Sequence, residues 1–157
     1  MHRHSISVAA LALAMSAVLF ARQDERATAP GSPGIVELSA ESLAGTALSS
    51  LESAPYMKVV EHAGARAANV SSFRSADQRF DAGVSQYETV TLQLQDWPID
   101  EFMYILSGRV EITDARGHSR VYGPGDGFVM PKGFHGIWKQ LSPIKKINVS
   151  YSSDREN

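Results

Sequence analysis

From Tyr56 onward, the chain is built of short runs of β-branched, aromatic and aliphatic residues separated by turn signals. The runs predict strands over Met57–His62, Asn69–Phe73, Ser85–Leu94, Phe102–Leu106, Arg109–Thr113, Ser119–Tyr122, Gly127–Met130, His135–Gln140 and Lys145–Tyr151. Asp114-Ala115-Arg116-Gly117 suits a tight hairpin, and Gly123-Pro124-Gly125-Asp126 and Pro131-Lys132-Gly133 suit only turns. Short strands without intervening helices imply an all-β sandwich or jelly-roll barrel. Before them, Ser39 is placed to cap a short helix with Leu43, Ala47, Leu48 and Leu51 on one face, closed by Pro55. Ala27–Gly34, with two prolines and two glycines, reads as a linker.

The first residues follow another pattern. His2, Arg3 and His4 precede an apolar run from Val8 to Phe20, broken only by Ser16, and charged residues resume at Arg22. This is the layout of a secretory signal peptide, so a periplasmic or secreted product is expected. The apolar run is about 13 residues, against roughly 20 needed to cross a bilayer, and no stable membrane span is expected. Ala21 offers a small residue at a cleavage site, although Leu19 before it is bulky; Ala27-Thr28-Ala29 is followed by the blocking Pro30. The expected organisation is a signal peptide over 1–21, linker and short helix over 22–55, and one β domain over 56–157.

The chain has 157 residues, 43% hydrophobic and 20% charged, enough for one domain with a core. Its 15 Lys and Arg against 17 Asp and Glu gather into no basic stripe, so nucleic acid is not an expected partner. Cysteine is absent, which removes disulfides, a thiolate nucleophile and Cys-ligated zinc.

Two segments carry chemistry. Asp100-Glu101-Phe102-Met103-Tyr104-Ile105-Leu106-Ser107-Gly108-Arg109-Val110 has a glutamate opening a strand that ends at a glycine turn. Gly123-Pro124-Gly125-Asp126-Gly127-Phe128-Val129-Met130-Pro131-Lys132-Gly133-Phe134-His135-Gly136-Ile137-Trp138 follows after a hairpin. In order and spacing these resemble the two motifs of the cupin superfamily, with Glu-x6-Gly and Gly-x5-Pro-x-Gly intact. The finer resemblance, from about Val59 to Tyr151, is to the branch of small (S)-ureidoglycine aminohydrolase-like cupin domains. It implies a cupin-type jelly-roll β-barrel and a homodimer. Phe102, Tyr104 and Leu106 alternate with Glu101, Met103 and Ile105, so both faces of this strand need cover.

In metal-binding cupins, two histidines precede the glutamate and another follows the second motif's glycine. Here the paired positions fall on Gln95 and Trp97, or on Leu94 and Asp96, and the later one on Gly136. Only Glu101 remains of the usual four, and neither a metal nor another cofactor is expected. His135 is one position from the lost ligand, and strand alternation turns it away from the barrel unless a bulge re-aims it; an improvised donor set would be Glu101, Asp96 and His135. His62 lies on an early strand and His118 beside a hairpin turn.

The cavity mouth is expected to be lined by Gln95 or Asp96, Trp97, Glu101, Lys132 and Trp138, with Tyr87 and His135 as further candidates. Aromatic walls with one carboxylate and a few polar groups suit a small polar or carbohydrate-like ligand. Glu101 is the candidate acid or base, its pKa raised by desolvation unless a cation pairs with it. The plainer reading makes Glu101 a hydrogen-bond acceptor at the strand start and both tryptophans barrel core. Lys145-Lys146 reads as a solvated pair with one stem packing on the barrel. The expected function is small-metabolite binding without a His-ligated metal; the alternative is an enzyme that hydrolyses or isomerises a small metabolite through Glu101.

Overall fold

Alternation along the strands is what separates inside from outside in this protein. The computed structural model describes residues 33–153; the expected signal peptide and most of the linker lie outside the described residues. Within the unit that begins at Ile35, the strands are β1 (Ser49–Ser50), β2 (Met57–Glu61), β3 (Arg66–Arg74), β4 (Phe80–Tyr87), β5 (Thr91–Leu94), β6 (Asp100–Ser107), β7 (Val110–Asp114), β8 (Ser119–Tyr122), β9 (Gly127–Met130), β10 (Gly136–Gln140) and β11 (Ile144–Tyr151). They form two antiparallel sheets, ordered β1-β3-β4-β11-β6-β9 and β2-β5-β10-β7-β8. The fold is the expected all-β jelly roll.

The core lies between the sheets and contains Val90, Leu92, Leu94, Met103, Ile105, Val110, Met130, Trp138 and Ile144. Each buries an apolar side chain worth roughly 1.5–3 kcal/mol. On β6, Glu101, Met103 and Ile105 face inward, whereas Phe102 and Tyr104 remain 41% and 38% exposed on the other face. The β6–β7 turn depends on Gly108, whose φ is +82° and whose missing Cβ would run into the backbone of Pro143.

Two local expectations change. The Ser85–Leu94 run is two strands in different sheets: β4 stops at Tyr87, Glu88 N donates to Arg66 O (2.9 Å), and β5 starts at Thr91 across the corner. The fully buried Val90 keeps this corner apolar, so periodicity carries no mark of the sheet change. The Ser39-capped helix is a single 3-10 turn, Ala40–Leu43, in which Ser39 Oγ accepts from Glu41 N (3.2 Å). The chain then extends to pair β1 with β3 instead of continuing a helical face through Ala47 and Leu51. Leu43 still packs, against Ala68 and Val84 on the outer side of the six-stranded sheet. Among the described residues no helix is long and apolar enough to cross a membrane.

Candidate ligand cavity in the barrel

Alternation brings a carboxylate and an ammonium together inside the barrel. Glu101 points inward from the start of β6, and Lys146 points inward from the neighbouring β11, where it lies opposite Ile105 and Ser85. Lys146 Nζ donates to Glu101 Oε1 at 3.0 Å, and the two residues are only 5% and 6% exposed. This corrects the reading of Lys145-Lys146 as a solvated pair: Lys145 is exposed, and Lys146 is in the interior. Burial pulls the Lys146 ammonium's pKa down, but the Glu101 carboxylate, with Tyr87 and the hydrogen bond to Glu101 adding to it, outweighs burial and holds it above the ordinary lysine value. The Tyr87 ring centre is 5.8 Å from Nζ, and its hydroxyl donates to Asn69 Oδ1 at 3.1 Å.

The pair borders a small cavity of about 60 Å³ that widens to about 400 Å³ when its open mouth and the solvent there are counted. Its walls are Met57, Leu92, Leu94, Met103 and Met130 on the apolar side, with Tyr87, Trp97, Trp138 and Gln140 beside the charged pair. The two tryptophans differ in their indole N–H groups. With the Gln140 amide turned so that its oxygen faces donors, Trp138 Nε1 donates to Gln140 Oε1 (3.2 Å) and the Gln140 amide nitrogen donates to Glu88 O (2.8 Å). Trp97 stacks edge-on against Tyr56 with ring centres 5.4 Å apart, and its Nε1 is buried without a hydrogen-bond partner.

Of the expected site residues, the structure brings Glu101, Trp97, Trp138 and Tyr87 around one cavity and places Gln95, Asp96, Lys132 and His135 outside its walls, all four exposed. The reason lies at Asp96, whose φ of +53° breaks strand alternation, so that Leu94 and Trp97 both reach the cavity while Gln95 does not. His135 Nδ1 accepts from Asp96 N (3.3 Å), Trp97 N donates to Phe134 O (3.1 Å), and Lys132 N donates to Asp100 Oδ1 (2.9 Å). These bonds join the loop before β6 to the loop before β10. Lys146 and Gln140 carried signals of their own: Gln140 shares the parity of Trp138 along β10, and Lys146 that of the buried Ile144 along β11.

The donor set does not fit the metal that cupins commonly hold. Among the described residues no three of His, Asp or Glu gather within reach of one ion. The one carboxylate on the cavity already faces an ammonium, and the ligand position after the second motif is closed: a Cβ on Gly136 would strike Thr113 O and come within 2.7 Å of the Phe134 ring. What the arrangement supplies is a buried cation, a carboxylate and an unsatisfied N–H on an apolar floor.

Two antiparallel sheets closing over this interior, with both motifs at its rim, make this a cupin-domain protein. Residues 74–147 match the family model described as the EutQ-like cupin domain. The fold is similar to that of the EutQ protein of Clostridium difficile, with 20% identity, a TM-score of 0.50, and coverage of 62% of this chain and 82% of that one. It is also similar to a protein of unknown function from Pseudomonas syringae pv. tomato, with 16% identity, a TM-score of 0.58, and coverage of 68% of this chain and 45% of that one. No curated protein matches the chain.

Proposed function

We propose that this protein is an exported cupin that binds a small polar metabolite inside the barrel, with Lys146 as the cation that faces Glu101. The observation that carries this reading is the buried 3.0 Å ion pair at the wall of an open, otherwise mostly apolar cavity. Removing two charges from water costs several kcal/mol per ion before their attraction repays it. A purely structural core would be served as well by aliphatic side chains, so the pair's retention beside an opening favours binding. Export rests on the signal-peptide layout of residues 1–21. A second copy of the chain is the proposed partner, covering the outer aromatic face of β6.

A second reading is an enzyme of the ureidoglycine aminohydrolase-like kind. It is favoured by the motif resemblance around Glu101 and by a carboxylate and an ammonium in contact at the cavity, which could pass a proton to and from a bound metabolite.

Elemental analysis of the purified protein, followed by a thermal-shift screen of small acids, ureides and sugars, tests the binding reading. The expected result is no stoichiometric metal and stabilisation by at least one compound that is lost in Glu101→Gln. Stoichiometric manganese, iron, nickel or zinc would overturn the Lys146-centred site; stabilisation unchanged in Glu101→Gln would place the ligand elsewhere. Turnover of a stabilising compound would decide for the enzyme. Export is tested by sequencing the N-terminus of the mature protein: full-length chain found only in the cytosol would sink it.

A further inference from the structure

The same cavity has a hydrogen-bonding pattern and a charge balance that select among ligands, and the inference drawn from them rests on the binding reading above. Lys146 carries three N–H groups, and among the described residues its one hydrogen bond goes to Glu101 Oε1. Trp97 contributes an indole N–H that is buried and unpartnered. Lys146 therefore has N–H groups without an acceptor at the cavity, and Trp97, which lines the same cavity, keeps a further unpartnered N–H behind its surface. Among the described residues Glu101 accepts through Oε1 only, which leaves Oε2 to accept from a ligand donor.

Charge narrows the choice further. The carboxylate and the ammonium already neutralise each other, so an entering carboxylate would leave a net negative charge in a buried site, and an entering amine a net positive one. A polyol would bring more hydroxyls than this wall can satisfy, because Leu92, Leu94, Met103 and Met130 offer them nothing.

We infer that the barrel takes a small neutral ligand whose polar head sets a carbonyl beside an N–H, a carboxamide attached to a short apolar body. The carbonyl accepts from Lys146, the N–H donates to Glu101, and the body lies on the methionine and leucine floor against the Trp97 ring.

The test uses one body with three heads: isobutyramide, isobutyrate and isobutylamine, titrated at pH 7 into the full-length 15N-labelled protein. The two indole N–H signals are the readout, assigned with Trp97→Phe. Isobutyramide is expected to move the Trp97 signal, to leave that of Trp138 in place because Gln140 holds it, and to bind at least tenfold more tightly than the other two. Isobutyrate or isobutylamine binding as tightly as the amide would overturn the neutral class while leaving the cavity a ligand site. The double variant Glu101→Leu/Lys146→Met keeps the interior neutral and should fold; it is expected to lose amide binding tenfold or more, and unchanged binding would overturn the assignment of the head to this pair. If none of the three probes binds while the wider screen yields a ligand sensitive to Glu101→Gln, this inference alone fails. If nothing binds in either experiment, the binding reading fails with it.

Discussion

The two faces of the six-stranded sheet reverse the usual distribution of polarity. Its inner face, turned toward the core, carries Glu101, Lys146 and the fully buried Ser85. Its outer face carries a row in which Phe102 lies directly between Val149 and Val129, with Tyr104 one step along the strand. Phe102 is 41% and Val129 61% exposed, while Glu101 and Lys146 are at most 6% exposed. Buried charges and exposed aromatics are the informative exceptions to the burial rule. The binding reading rests on the inner exception, and the outer one is the face proposed to meet a second copy of the chain.

The comparison breaks most sharply at the inner pair. Lys146→Met leaves Glu101 buried beside an apolar group, and the expected loss is about 3–5 kcal/mol, read from urea denaturation midpoints at constant m. Glu101→Leu/Lys146→Met should recover most of that loss, since neither charge is left unpaired. A single variant as stable as wild type would mean that the pair is not desolvated, and the inner face would then be no exception.

A smaller effect on the same face comes from the Trp138 contact. Gln140→Leu removes the acceptor of the Trp138 indole N–H and the donor to Glu88 O; with the N–H of the buried Trp138 left without an acceptor, it is expected to cost about 1–3 kcal/mol. On the outer face, Phe102→Lys should change monomer stability by no more than about 0.5 kcal/mol. Its effect is expected in oligomeric state, read as a fall from dimer to monomer mass by light scattering. A monomeric wild type would remove the second copy as the cover, and an unaltered dimer in Phe102→Lys would place the interface elsewhere.

Why the inner face was only half legible in the sequence follows from the same reversal. The Glu-x6-Gly and Gly-x5-Pro-x-Gly spacings fix turns and strand ends, and the strands Ser119–Tyr122 and Gly127–Met130 have the predicted bounds. Glu101, Trp97 and Trp138 lie at the cavity that the alternation of β6 pointed to. Lys146 was hidden because Ile147, Val149 and Tyr151 alternate as a core face should, which turns the intervening positions toward solvent on paper. Both faces of β11 are apolar or buried in part, and parity alone cannot say which one holds the barrel. Gln95 and Trp97 share a parity in sequence but not in space, because the left-handed turn at Asp96 resets the alternation between them. A positive φ at an aspartate is a local choice that composition does not announce.

The smallest effect separates buried from exposed ionisation by pH. Lys146 is held above 10.5 in the folded protein, so its contribution is fully present below the ordinary lysine value and is lost only as pH rises through the raised one. Asp114, in the β7–β8 hairpin on the other sheet, behaves in the opposite sense. Desolvation pushes its pKa up, but hydrogen bonds from the backbone N–H groups of His118 and Arg116, with their side chains adding, outweigh it and bring the carboxyl to about 2 from 3.8. Its contribution is present above 3.8 and lost as pH falls through about 2. The melting-temperature gap between wild type and Asp114→Ala should therefore shrink from pH 5 to pH 2, while the gap for Lys146→Met does not narrow as pH rises from 7 to 9 and closes only in stronger alkali. A Lys146→Met gap that narrows as pH rises from 7 to 9 would show an ammonium already losing its proton there, and with it a cavity whose charge is set by its ligand and not by Glu101.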